Sequence, residues 1–399
     1  MMFGLRKHGP DGRYGAILDI GSGSAGVAIV ASDTLEDKPI IIWNYRERMV
    51  IRDHANLAVA EKDIITTVVN AVLELGNTGI RALREYDKHA VVDEIVVTIS
   101  APWAHTVSRT LSLDNSEAFS VDGKVLKDLI KKARAEASEA VGEKAVSEKF
   151  DLTIVSDETV SITANGYRVH NPFVSEVNKL TLTQLVGVTQ TRFYDAIFEA
   201  IDKVMPGHEV ICRTFMHLFY QALDEARPET SEVCLVDITA EATEIGIVRD
   251  NVLNQTTYAP YGMYNLAREI SVLCGVTLEE ALGYMRIGGS KLEQKLSSDK
   301  QQQLSTVINK YESELAKVFT KTGDALSIPR TIFLHTDHKY EDFFSKCLIN
   351  GARTATNTDH SVHLITSEFF AIDKVTDSAL LLSAHVFHKK LYESKYLKS

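Results

Sequence analysis

The sequence predicts an α/β protein made of two similar halves, and three observations carry that expectation. The stretch LDIGSGSAGVAIV, residues 18–30, is an apolar run ending in an acid, then small residues, then a second apolar run. The stretch LVDITAEATEIGIV, residues 235–248, repeats the pattern without a gap about half a chain later. The third is size: 399 residues, 45% hydrophobic and 24% charged, suffice for two large domains or one duplicated one.

In the first stretch Gly21, Gly23 and Gly26 spell G-x-G-x-x-G. A dinucleotide site needs a strand, a glycine turn and then a helix whose N-terminus meets the pyrophosphate. Ala16, Ile17 and Leu18 supply the strand. Val27, Ala28, Ile29 and Val30 follow the last glycine and are mostly β-branched, which predicts a second strand. The unit is therefore a hairpin with Asp19 just ahead of its turn.

The second stretch lies over the first: Leu235-Val236-Asp237-Ile238 on Ile17-Leu18-Asp19-Ile20, and Ile245-Gly246-Ile247-Val248 on Val27-Ala28-Ile29-Val30. Six-residue turns, Gly21 to Gly26 and Thr239 to Glu244, connect them. Small turn residues let backbone N–H groups close on an anion. Gly21, Ser22, Gly23 and Ser24 fit that role in the first turn, and Thr239, Ala240 and Glu241 stand in its place in the second. Asp19 and Asp237, facing each other, would suit a hydrated Mg²⁺, which prefers oxygen ligands and keeps several waters. Together the turns predict a clamp on a nucleoside triphosphate; the alternative is two ordinary hairpins with a chance acid each.

Between the hairpins, Val125, Leu126, Leu129, Ile130 and Ala133 recur at helical spacing, which predicts a helix over 121–140 packed on a small sheet. Beyond the second hairpin, Leu304, Val307, Ile308, Tyr311, Leu315, Val318 and Phe319 predict a long amphipathic helix over 298–321. Ile332, Phe333 and Leu334 form a strand, and DSALLLSAHVFHKKL is the last helix. Leu391, Tyr392, Tyr396 and Leu397 with Lys389, Lys390, Lys395 and Lys398 are too few for a separate membrane anchor.

A net charge of −11 argues against general affinity for nucleic acid or anionic lipid, since phosphate-tracking domains carry a basic face. Cys212, Cys234, Cys274 and Cys347 are dispersed and predict reduced thiols in a cytosolic protein. The first residues, MMFGLRK, lead into no apolar stretch, so no signal peptide is expected. No apolar run reaches the roughly 18 residues of a transmembrane helix, so membrane contact is expected only indirectly.

The two hairpins, with DEIVVTISAPWAHTVSRTLSL, the Gly166–Pro172 string GYRVHNP and YAPYGMYNLAREISVLCGVTLEEALGYMRIGG, resemble the actin, sugar-kinase and heat-shock ATPase superfamily, and within it the bacterial FtsA/PilM group. The resemblance runs from about Tyr14 to about Lys390. It implies duplicated RNase-H-like (actin-like) domains flanking a nucleotide cleft, with a small inserted α+β subdomain. The implied division is 1–93 for the first part of the first domain and 94–190 for the insert. Residues 191–232 return to the first domain and cross over, 233–376 form the second domain, and 377–399 form a helix returning to the first domain with a short tail. ATP and Mg would be the ligands, with Gly262, Glu280, His335 and Thr336 joining the two turns at the nucleotide.

Several positions depart from that pattern. Thr239 stands where a glycine is expected, and a β-branched residue fits poorly at positive φ or close backbone approach. Thr214 and Phe215 occupy the place of the residue that positions the attacking water, with His217 nearby as a substitute or as a packed helix histidine. His335-Thr336-Asp337 replaces a Gly-Gly turn and would intrude on an adenine, and Gly283 replaces a lysine. His335, His338, Asp337 and Glu341 also allow a metal cluster, against which Asp337 as a helix cap is the plainer expectation.

The resemblance implies a cytoplasmic scaffold, at most a slow ATPase, recruited to the inner face of the cell membrane for cell-division or type IV pilus machinery. Its expected partners are an inner-membrane or tubulin-like assembly protein and, head to tail, its own copies. A small-molecule kinase, with Glu241 as the one nameable acid, and a pseudo-ATPase that binds no nucleotide are the alternatives.

Overall fold

The computed structural model describes residues 12–33, 36–52, 56–145, 151–169, 171, 173, 176–287, 296–322, 328–337, 339–370, 372 and 375–396. Both expected hairpins form. Strand β1 (Arg13–Ile20) pairs antiparallel with β2 (Ser24–Ser32), and β10 (Val233–Ile238) with β11 (Thr243–Arg249). The registers correspond: Asp19 faces Gly26 and Asp237 faces Glu244. The turns are tighter than the six residues expected, because pairing resumes at Ala25, opposite Ile20, and at Thr243, opposite Ile238.

Each hairpin seeds a five-stranded sheet. The first is ordered β3-β2-β1-β4-β9, with β3 Ile40–Arg48, β4 Glu94–Ile99 and β9 Glu209–Thr214. The second is ordered β12-β11-β10-β13-β14, with β12 Val252–Ala259, β13 Thr331–Thr336 and β14 Ser361–Leu364. Numbered within its own half, each sheet reads 3-2-1-4-5. In each, the first three strands are antiparallel and the last two join in parallel. Parallel joins need crossover connections, and helices provide them. Helices α1 (Leu57–Glu74) and α2 (Ile80–Tyr86) lead to β4. Helices α6 (Met263–Cys274), α7 (Leu278–Ile287) and α8 (Ser298–Lys321) lead to β13, and α9 (Glu341–Thr356) leads to β14.

The insert sits between β4 and α4 (Thr191–Val204), the helix that leads to β9. It is a four-stranded antiparallel sheet, ordered β5-β8-β6-β7 (Ala104–Phe119, Val177–Gln190, Leu152–Ala164 and Tyr167–Arg168). Helix α3 (Gly123–Ala145) covers it through Leu126, Leu129 and Ala133. Glu94–Ile99, assigned to the insert by resemblance, is instead strand β4, because it pairs along β1 in the first sheet.

Period-two alternation decides where the acids point. Ala16, Leu18 and Ile20 join one core with α1, and Cys234, Val236 and Ile238 join it with α6 and α8. Ile17, Val233 and Leu235 face the other way, into a second core built by α5 (Phe215–Ala226) and α10 (Ser378–Tyr396) between the two sheets. Asp19 and Asp237 continue that inner row. Helix α10 lies flat on β1: a Cβ on Gly15 would meet the Phe387 ring at 2.5 Å. The four cysteines are buried and free. No helix among the described residues is long and apolar enough to cross a membrane. The tail side chains from Lys390, the start MMFGLRK and His338 lie outside the described residues.

Candidate functional site

A cavity of about 250 Å³ opens between the two hairpin turns. Asp19, Gly21, Ser22, Gly23, Ser24, Thr239, Ala240, His335 and Thr336 all line it. Asn44, Arg46 and Arg48 of β3 line it too, as do Asp337 and Asp377. Asp237 and Glu241 do not, although both are buried within the same turn region. Glu280 lies elsewhere: it is exposed and accepts the Thr277 N–H at the start of α7. Gly262 stands behind the second turn, where a Cβ would meet the Thr239 carbonyl and, at 2.6 Å, the Ala242 amide.

The acid of the first turn is held by a row of register partners across four strands. Arg46 pairs with Gly26, Gly26 with Asp19, and Asp19 with Thr98. Gly26 has no side chain, so the Arg46 guanidinium lies over it and donates from Nη2 to Asp19 Oδ2 at 2.8 Å. Thr98 donates to Asp19 Oδ1 at 3.0 Å. Arg46 also donates to Ser24 at 2.9 Å, and bidentately to Asp377. Asp377 precedes α10 and accepts the Leu380 N–H, as an N-cap does. Burial raises Asp19 above the ordinary carboxylate range and the Arg46 charge only partly offsets it. For Asp377 the same burial is outweighed by Arg46, so its carboxyl is lowered. Burial works against the Arg46 charge too, but its two carboxylates outweigh it and hold the guanidinium protonated.

The second half has a matching row with different chemistry: Tyr258, Glu244, Asp237, His335. The cation comes from the other side. His335 Nδ1 lies 2.7 Å from Asp237 Oδ1, and its ring packs on Phe215 at 4.5 Å between centroids. Asp237 Oδ2 is buried without a hydrogen-bond partner. Where Gly26 leaves a gap in the first half, Glu244 fills it in the second. Burial and the Asp237 charge push the Glu244 carboxyl well above its ordinary range.

The turns touch each other. Ser22 donates to Thr239 Oγ1 at 2.7 Å and accepts the Glu241 N–H at 2.7 Å. A Cβ on Gly23 would collide with the Ala240 methyl. Neither Gly21, Gly23 nor Thr239 has positive φ. It is close approach, and not the left-handed region, that keeps Gly23 small. Glu241 turns away from the cavity and forms a buried two-pronged pair with Arg268 of α6.

The remaining positions of interest are also engaged. Thr214 shares a 2.6 Å hydrogen bond with Thr106 of the insert, and Phe215 is core. His217 is buried against Glu158 at 3.2 Å, which bears out its reading as a packed helix histidine. Thr336 donates to the Ile238 carbonyl at 3.0 Å. Asp337 does not cap α9, which Tyr340 precedes. It pairs with Arg48 across the cleft at 2.6 Å instead. Among the described residues no group of three or more His, Cys, Asp or Glu could hold a metal ion.

The groups named for magnesium nucleotide do not fit it in this arrangement. Both Asp19 oxygens, one Asp237 oxygen, the Ser22 hydroxyl and the Glu241 amide are satisfied from within the chain. The cavity also falls below the roughly 300–1,000 Å³ of small-molecule sites.

Sequence reasoning missed Arg46, Arg48, Asp377, Glu244 and Arg268. A signal existed for the first two: Asn44, Arg46 and Arg48 alternate with Trp43, Tyr45 and Glu47, which places three polar groups on one face of β3.

No known family profile and no curated protein matches the sequence. Solved structures do. A chain of the PilM–PilN type IV pilus biogenesis complex superposes with a TM-score of 0.57 at 13% identity, over 94% of this chain and 98% of that one. The chain has the actin-like fold. A Bacteroides thetaiotaomicron VPI-5482 protein with actin-like ATPase fold matches at 7% identity and TM-score 0.43, over 95% of this chain and 99% of its own. The ethanolamine utilization protein EutJ from Carboxydothermus hydrogenoformans matches at 11% and 0.42, over 96% and 93%. The actin-like fold accounts for the doubled 3-2-1-4-5 sheets and the cleft between them.

Proposed function

We propose that this actin-like protein is a PilM-type scaffold that works through protein contact, as a cytoplasmic platform for membrane-bound assembly machinery of the pilus or cell-division kind. The observation that carries this reading is that the groups an enzyme of this fold would need at the cleft are spent on structure. Glu241, the one acid a kinase reading could use, is tied to Arg268. Thr214 and Phe215, at the place for positioning a water, bond to Thr106 and fill the core. A general base must reach the proton that it takes, and neither does. The likeness to a PilM–PilN chain over nearly the whole length supports the scaffold reading.

The inner-membrane partner would supply the anchor, and head-to-tail contact between copies would extend the platform. The test is direct binding between the purified chain and the cytoplasmic segments of membrane proteins encoded beside its gene, read by calorimetry, with sugar- and acid-dependent ADP release measured in parallel. Saturable one-to-one binding without ADP release is expected. Substrate-dependent release of ADP would replace the scaffold with the kinase.

A further inference from the structure

We propose that this chain latches its cleft shut with its own side chains where other actin-like proteins would use a magnesium nucleotide, Arg46 standing in for the cation. The inference does not rest on who the partner is.

Three contacts make the latch, and the first two take groups named for the nucleotide: Ser22 with the Glu241 amide, and Asp19. Ser22 fills the second turn, giving its proton to Thr239 and taking that of the Glu241 amide. An anion entering that nest would first have to expel the hydroxyl. Arg46 bridges Asp19 of the first sheet to Asp377 at the start of α10, and so ties β1 to the helix packed between the two sheets. Arg48 reaches Asp337, directly after β13, from the opposite side of the cavity. Of these, Arg46 is the most committed: its single charge is shared between two carboxylates, Asp19 and Asp377. A divalent cation would have to displace a guanidinium already held bidentately by one carboxylate.

The local sequence is shaped to this arrangement. Gly26 is bare where Arg46 crosses it, and Gly23 is bare where the two turns meet, so that a Cβ at either would strike the latch itself. Closure is then a built-in property of the chain, set by folding and not by a bound cofactor. Opening would be driven by whatever binds the two halves differently.

The test uses the full chain. Calorimetric titration with ATP, with and without Mg²⁺, is expected to show no saturable heat up to millimolar nucleotide, and the melting temperature is expected not to move. The variant Arg46→Ala should melt several degrees lower. It should also gain what wild type lacks: with Asp19 and Asp377 released, Mg²⁺ alone should raise its melting temperature. Saturable Mg-ATP binding by wild type that Asp19→Asn abolishes would overturn the proposal, and that measurement needs no destabilised variant. An Arg46→Ala melting temperature equal to wild type would overturn it as well. Either failure concerns the latch alone, since partner binding is measured separately.

Discussion

Gly26 and Arg46 are register partners on β2 and β3, and a Cβ on the glycine would occupy the place of the Arg46 guanidinium. The third glycine of the G-x-G-x-x-G string thus serves neither a helix nor a pyrophosphate. It opens a path one side chain wide, along which Arg46 reaches Asp19. Gly26→Ala should therefore act through Arg46. Alone it should cost about 1–3 kcal/mol, as overpacking does. Arg46→Ala should cost about 3–5 kcal/mol, because it strands a buried carboxylate. The double variant should be no less stable than Arg46→Ala. Urea melts of the four proteins check this, and additive losses would mean that the two residues do not interact.

His335 should make stability depend on pH. Burial works against its charged form, but the hydrogen bond and charge of Asp237, with Asp19 and Asp377 beyond, outweigh burial and raise it above 6.5. A histidine raised in the native state stabilises when protonated. That contribution is whole below the unfolded value and is lost as pH rises through the native one. Melting temperatures from about pH 5.5 to 9 should fall more steeply for wild type than for His335→Gln. Parallel curves would show that folding leaves the titration of the ring unchanged and would contradict this.

Glu244 acts in the same direction. Its raised carboxyl means that the folded chain holds a proton which the unfolded chain releases above its ordinary value of 4.5. Stability is full below that value and falls by up to about 1.4 kcal/mol per pH unit as pH rises toward the native one. Glu244→Gln keeps an acceptor for the backbone of Thr106 and removes the titration. It should gain on wild type as pH rises above 4.5. A difference independent of pH in chemical denaturation would contradict this.

The Arg268–Glu241 pair is buried on both sides. Arg268→Ala should cost about 3–5 kcal/mol by leaving Glu241 unpaired, whereas Arg268→Met with Glu241→Leu should recover most of the loss. Because Arg268 Nε also donates to the Arg52 carbonyl, recovery should stop short of wild type. If the double variant is as unstable as the single one, the backbone contact and not the ion pair is the main contribution.

The sequence by itself determined what depends on near neighbours. β-branched runs on either side of small residues made both hairpins. The unbroken repeat placed Asp19 and Asp237 at equivalent positions ahead of their turns, and the structure gives them corresponding registers on the inner faces of the two sheets. Helical spacing likewise placed α3 and α8. The structure alone decided what answers those acids. Arg46 and Asp377 stand 331 residues apart and Ser22 and Thr239 stand 217 apart. No local pattern reports a bond of that span, because it exists only once two sheets and a terminal helix have packed. The repeat looked symmetrical because backbone periodicity was conserved between the halves in this one chain. The site is not symmetrical, because one half leaves a gap at Gly26 for a cation from β3, while the other fills that gap with Glu244 and takes its partner from β13.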